Sequence, residues 1–280
     1  MTWERSKVQA AINREQTFVK TRQAITWFRE HGINGINIDL VYGLPHQSRD
    51  SVEETIGKIL DLEPDRIAIF GYAHLPSRFK HQNLIDESVL PDAVERFAQS
   101  NRLAHILTAA GYVRIGLDHF ARKDDPLASG KVSRNFQGYT SDTADALIGL
   151  GASAIGKLPE GYIQNATSTA DYVRRVEDGG LAAVRGKALT NDDRMRGYVI
   201  ERLMCDLAFP KAEIERRFGD AALPLVEEAE TLIESDPDRL VERTSDGFRV
   251  TDRGRPFVRT IAACFDSYLD RPQAQYSTGV

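Results

Sequence analysis

Asp39 is the carboxylate whose position says most about chemistry. It sits late in the alternating run Ile36-Asn37-Ile38-Asp39-Leu40-Val41, just before the turn Tyr42-Gly43-Leu44-Pro45. In β/α barrels the C-terminal strand ends carry the reacting groups, so an inward-facing Asp there is a candidate ligand contact. Capping of the turn is an equal alternative. Arg14, within Asn13-Arg14-Glu15-Gln16, reads by itself as a solvated surface arginine. His74 follows a second strand in Tyr72-Ala73-His74-Leu75-Pro76. It fits an acid–base or hydrogen-bonding role and a structural loop histidine equally well. Asp118-His119 places a carboxylate beside an imidazole, an acid–base combination. Neighbours on a strand point to opposite faces, so adjacency alone does not pair them.

Other chemistries lack their residues. The six histidines and two cysteines show no CxxC, HExxH or HxH spacing, so no metal site is expected. No GxGxxG, GxxxxGK[ST] or GxSxG occurs. Cys205 and Cys264 lie 59 positions apart and read as buried structural thiols in a reducing cytoplasm.

The elements that would position these groups alternate. Phe18, Ile25 and Phe28 have helical spacing before Gly32, and Asn37 and Asp39 share one face of the following strand. Asp50-x-x-Glu53 and Ser51-x-x-Glu54 are overlapping capping boxes for a helix burying Val52, Ile56, Ile59 and Leu60. A strand at Ile67–Tyr72, a helix from Asp92, a strand at Val113–Leu117, a short helix at Thr143–Gly149 and a strand at Gly151–Ile155 follow. This order predicts an α/β fold with a parallel sheet, a partial (β/α) barrel of four strands over residues 1–186. The polar stretch 118–143 has little periodicity and reads as a binding loop or lid. Residues 187–280 form a mostly helical, winged-helix-like domain: three helices, a hairpin around Ser245-Asp246-Gly247, and a last helix containing Val258, Ile261, Cys264, Phe265 and Leu269.

Composition agrees with a folded domain pair: 280 residues, 41% apolar, 28% charged, net charge −5. No apolar run reaches the ~20 residues of a membrane span, and no signal peptide is apparent, so neither membrane nor export is expected. From Lys187 onward, 14 Lys and Arg stand against 18 Asp and Glu. That balance argues against nucleic acid on the winged-helix-like part, because phosphate contacts need positive charge.

Seven strings occur in order: NREQ (13–16), NIDLVYGLP (37–45), PDRIAIFGYAHLP (64–76), GLDHFAR (116–122), RNFQGYT (134–140), GASAIG (151–156) and CFDSYL (264–269). Together they resemble the oxygen-independent coproporphyrinogen III oxidases, radical S-adenosylmethionine enzymes of haem synthesis. RNFQGYT discriminates best, because the related haem chaperones differ there. The resemblance implies oxidative decarboxylation of two propionates of coproporphyrinogen III to give protoporphyrinogen IX, with S-adenosylmethionine, a [4Fe–4S] cluster and an electron donor. Carried over by motif, Arg14 and Asp39 would contact S-adenosylmethionine, with Ala73 and Ile155 lying against it. Arg134 and Gln137 would contact substrate, an arginine suiting the tetrapyrrole's carboxylates.

The family's CxxxCxC cluster motif is absent, and so is its glycine-rich cofactor segment. The expectation is therefore a C-terminal portion, inactive alone, whose N-terminal half a second polypeptide could supply. The alternative is a tetrapyrrole- or S-adenosylmethionine-binding protein without radical chemistry. Missing upstream strands would leave the edge near Ile36–Val41 uncovered and prone to self-association.

Overall fold

Short runs of period-two and helical patterning dictate the first elements. In the computed structural model, which describes residues 7–269, they form α1 (Lys7–Ala11), α2 (Phe18–Glu30), β1 (Asn37–Tyr42), α3 (Arg49–Leu60), β2 (Arg66–Gly71) and α4 (Ala93–Ala109). Thr17 caps α2 by accepting from the Lys20 amide, and Asp92 caps α4 by accepting from Glu95. The box that opens α3 is Ser48 with Ser51, two and three residues earlier than the two boxes expected from sequence. A Ser–Ser pair satisfies both amides as well as Ser–Glu does.

The chain divides into two units, residues 7–131 with 255–260, and 132–254 with 261–268. In the first, β3 (Val113–Ile115), β4 (His119–Ala121) and the short α5 (Pro126–Ser129) complete the element set. Its sheet has the order β1-β2-β4-β3, with β1 and β2 parallel and β4 antiparallel to both neighbours. The sheet is therefore mixed, where an all-parallel one was expected. Gly116, at φ +52°, turns the chain back after β3, so residues 113–121 make a tight hairpin in place of one strand. β1 lies at the edge of this sheet, as the sequence implied.

One sheet face carries the core. Ile38, Leu40, Ile67, Ile69 and Phe120 pack with Val52, Ile56 and Ile59 of α3 and Leu103 and Leu107 of α4. Each such side chain, fully buried, contributes about 1.5–3 kcal/mol. The opposite face presents Asn37 and Asp39, both exposed.

The second unit contains the hairpin β5 (Ser133–Asn135) and β6 (Gly138–Thr140), then β7 (Ile155–Leu158), β8 (Gly161–Asn165), α6 (Thr169–Glu177) and β9 (Ala183–Ala188). Strands β7, β8 and β9 form an antiparallel meander. Three expectations fail. Residues 143–149 are not helical, because Leu147 bridges Lys157 and a Cβ at Gly149 would lie 3.0 Å from the Ile155 carbonyl carbon. The strand placed at 151–155 instead begins at Ile155, after a turn with Gly151 and Ser153 at positive φ. The stretch 118–143 likewise holds β4, α5, β5 and β6 and is not one loop.

The remaining elements are α7 (Asn191–Asp206), β10 (Ala208–Pro210), α8 (Lys211–Phe218), α9 (Leu223–Glu234), β11 (Val241–Thr244), β12 (Gly247–Val250) and α10 (Val258–Ala263). Three helices with a three-stranded sheet of order β10-β12-β11 give the winged-helix-like arrangement expected. Phe209 stacks between Phe248 and Phe265, at centroid distances of 5.3 and 5.6 Å. Helix α10 stops before Cys264, which is exposed, contrary to the buried thiol expected. No helix among the described residues is long and apolar enough to cross a membrane.

Candidate functional site

A cleft of about 970 Å³ opens in the first unit, and Arg14, Gln16, Asn37, Asp39, Phe70 and Tyr72 are among its lining residues. The two charged groups singled out from sequence thus face one space, although 25 residues separate them. Strand alternation separates Asp39 from the core residue Leu40, and the cleft also reaches Ile36 and Ile38 along this strand. The Asn37 amide donates to Asp39 Oδ1 at 2.8 Å and orients the carboxylate.

Arg14 owes its place to a buried glutamine. Gln9, only 5% exposed, donates from Nε2 to the Gln16 carbonyl and accepts from the Gln16 amide at Oε1. The Gln9 carbonyl also accepts from the Arg14 amide at 3.0 Å, and Gln16 Nε2 donates to Thr21 Oγ1 of α2. Residues 9–16 become a pinned loop that presents an exposed guanidinium. A second glutamine shapes the other end of β1. Gln99 is fully buried, accepts from the Gly43 amide and donates to the Gln47 carbonyl. Gly43 is required at φ +78°, and a Cβ there would meet Arg96 Nε at 3.0 Å. Sequence reasoning missed both glutamines; a polar residue on an otherwise apolar helical face, as Gln99 is on α4, was the available signal.

His74 sits between two partners. The Tyr72 hydroxyl donates to its Nδ1 at 3.3 Å, and its Nε2 donates to Glu87 at 3.0 Å. Burial raises the Tyr72 phenol above its ordinary value, so it stays protonated at the cleft wall. Ala73 is exposed, with its carbonyl accepting from Gln82 Nε2, and it does not line the cleft. Asp118 and His119 are a pair after all, with Nδ1 2.7 Å from Oδ1. Asp118 precedes β4 and belongs to the turn, so the opposite-face rule does not apply to it.

The other motif residues belong to the second unit. Ile155 opens β7 opposite Gln164. Arg134 is exposed on β5, its guanidinium 5.4 Å from the Tyr139 ring centre, and its amide donates to Glu201. Gln137 is exposed in the β5–β6 turn, where its amide donates to Asn135 Oδ1.

Comparison with known proteins places these residues in a context. Residues 189–257 match the HemN C-terminal domain. The chain is 46% identical over 275 residues to an oxygen-independent coproporphyrinogen III oxidase of Cereibacter sphaeroides, covering 96% of this chain and 60% of the relative. A protein of the same description from Bradyrhizobium diazoefficiens is 43% identical, covering 98% and 62%. The solved coproporphyrinogen III oxidase (HemN) of Escherichia coli, described as a radical SAM enzyme, superposes with a TM-score of 0.87. It is 38% identical, with 94% of this chain and 62% of that chain covered. The chain resembles the C-terminal part of the oxygen-independent coproporphyrinogen III oxidases. It spans about 60% of the length of the relatives it matches.

The groups these relatives imply fit this coproporphyrinogen-oxidase-like chain unequally. S-Adenosylmethionine carries an amino acid carboxylate, an amine and a ribose. A guanidinium and a carboxylate facing one cleft provide complementary partners. A [4Fe–4S] cluster does not fit. It needs thiolates, and burial pushes the Cys205 thiol up to about 12, which keeps it neutral. Cys264 is the only other cysteine. Among the described residues no group of three or more His, Cys, Asp or Glu is arranged to hold a metal.

Proposed function

We propose that this chain furnishes the S-adenosylmethionine- and coproporphyrinogen-binding part of a haem-pathway oxidative decarboxylase, with the cluster ligands supplied from outside the 280 residues. The observation that carries this is the convergence of Arg14 and Asp39 on one cleft beside the open sheet face. The Arg14 guanidinium pairs with the cofactor's carboxylate, and Asp39, oriented by Asn37, accepts from its ribose or amine donors. Bound S-adenosylmethionine, once reductively cleaved, supplies hydrogen abstraction from a substrate propionate. The chain's own residues hold the two reactants. Without cluster ligands, the chain alone binds and does not turn over.

Calorimetric titration of the purified chain with S-adenosylmethionine tests this reading. Saturable one-to-one binding is expected. Heats indistinguishable from dilution at millimolar ligand would overturn it.

A further inference from the structure

The β5–β6 hairpin cannot set its own geometry. Each strand has three residues, and among the described residues the two form a sheet without a third strand. Hairpins of two strands are marginal in water. Within 133–140 only Tyr139 is buried, while Arg134, Phe136 and Gln137 are exposed.

One turn of α7 supplies the hold. Arg202 Nη2 donates to the Val132 carbonyl at 3.1 Å, just ahead of β5. Glu201 Oε1 accepts from the Arg134 amide at 3.2 Å. The Tyr139 hydroxyl donates to the Met204 carbonyl at 2.9 Å. Helix α7 ends at Asp206, so that carbonyl is one of the last four, which have no amide partner inside the helix.

Arg202 is the centre of this clamp. It is only 5% exposed, and among the described residues its Nε has no partner. Its Nη1 donates to Asp206, and Glu201 lies 3.4 Å from Nη2. Both carboxylates reach solvent, their side chains being 43% and 24% exposed. A buried guanidinium with one N–H unpaired works against stability, and an apolar side chain of similar volume is often as stable or more so. What the arginine adds is direction, because its rigid fork ties the entry of β5 to the helix.

We infer that Arg202 is a positioning residue for substrate. Through the Val132 carbonyl it sets the hairpin so that Arg134 and Gln137 present their N–H donors together to the carboxylates of the tetrapyrrole. This rests on the reading of the chain as a coproporphyrinogen-binding part, with Arg134 and Gln137 as its contacts. A contact hairpin correctly placed for only a fraction of the time binds more weakly by that fraction.

The test pairs anaerobic calorimetry of coproporphyrinogen III and of S-adenosylmethionine with amide hydrogen exchange read residue by residue. It compares the unsubstituted chain with Arg202→Met, Arg202→Lys and Arg196→Met. Arg196 is the matched control: it lies on the same helix, pairs with Asp192 and Glu228 and donates to the Phe265 carbonyl, none of which belongs to the hairpin. Coproporphyrinogen binding weakens about tenfold in Arg202→Met, with faster exchange across 133–140 and none in α9 or β12. Arg202→Lys weakens it about threefold, because an ammonium keeps the charge and a donor without the fixed fork. Arg196→Met keeps full affinity and slow hairpin exchange, and S-adenosylmethionine binding is unchanged in every variant. Undiminished coproporphyrinogen binding by Arg202→Met overturns the inference and leaves the proposed function standing. Should that variant not fold, undiminished binding by Arg202→Lys overturns it equally. Faster exchange throughout the second unit, with Arg196→Met losing as much affinity, overturns it in favour of a purely structural arginine. Failure of the unsubstituted chain to bind coproporphyrinogen overturns the substrate reading and the inference with it.

Discussion

Arg14→Ala weakens S-adenosylmethionine binding by about ten- to a hundredfold while leaving thermal stability unchanged. A hydrogen bond between charged partners is worth about 1.5–3 kcal/mol, and each 1.4 kcal/mol is tenfold in affinity. Arg14 is exposed, and its loop is pinned by Gln9 through main-chain atoms of residues 14 and 16. Removing the side chain therefore costs no packing, and surface substitutions of this kind stay within about 0.5 kcal/mol. Arg14→Lys recovers only part of the loss, because an ammonium cannot form the two-pronged contact a guanidinium makes with a carboxylate. Asp39→Asn should weaken binding too, since it keeps an acceptor oxygen but loses the charge. Calorimetry with a matched melting curve reads both quantities. Full affinity in Arg14→Ala would remove the arginine from the site.

Phe120→Ala should destabilise the first unit by about 3–5 kcal/mol, the range for large aromatic truncations in a core. Phe120 is fully buried on β4, between Ile67 of β2 and Arg114 of β3 in the register, with the Arg114 guanidinium 5.9 Å from its ring centre. It joins the cluster formed with α3 and α4. The magnitude depends on β4 being inserted into the middle of the sheet. Were residues 119–121 a surface turn, truncation would cost under about 0.5 kcal/mol. Denaturant unfolding followed by circular dichroism, with the slope compared between variant and parent, distinguishes the two.

Much of the first unit could be read in advance, for identifiable reasons. The run Ile36–Val41 alternates cleanly, and Val52, Ile56 and Ile59 repeat at helical spacing, so β1 and α3 were legible. β4 was not, because three residues are too few to show a period. Reading one strand through to Leu117 hid the turn at Gly116 that reverses the chain. Residues 143–149 contain Ala144, Ala146, Leu147 and Ile148, which favour a helix locally. The close approach at Gly149 and the bridge from Leu147 to Lys157 override that propensity.

The site divides in the same way. Asp39 was visible because a polar residue late in a strand stands out. Arg14 by itself looked like any surface arginine, and only the string around it marked it. The glutamines that set the loop and turn, Gln9 and Gln99, follow no spacing rule, because what they satisfy is main-chain amides and carbonyls brought close by folding. The pairing of Asp118 with His119 was discounted by a strand rule that the turn suspends.

The central claim is that this chain binds the reactants and leaves the redox centre to residues it does not contain. Anaerobic reconstitution with iron and sulfide, followed by metal and sulfide analysis, tests it most directly. The expected result is iron far below the about four atoms per chain of a complete cluster, with S-adenosylmethionine binding intact. About four irons and four sulfides per chain, lost on replacing Cys205 or Cys264 by alanine, would contradict it.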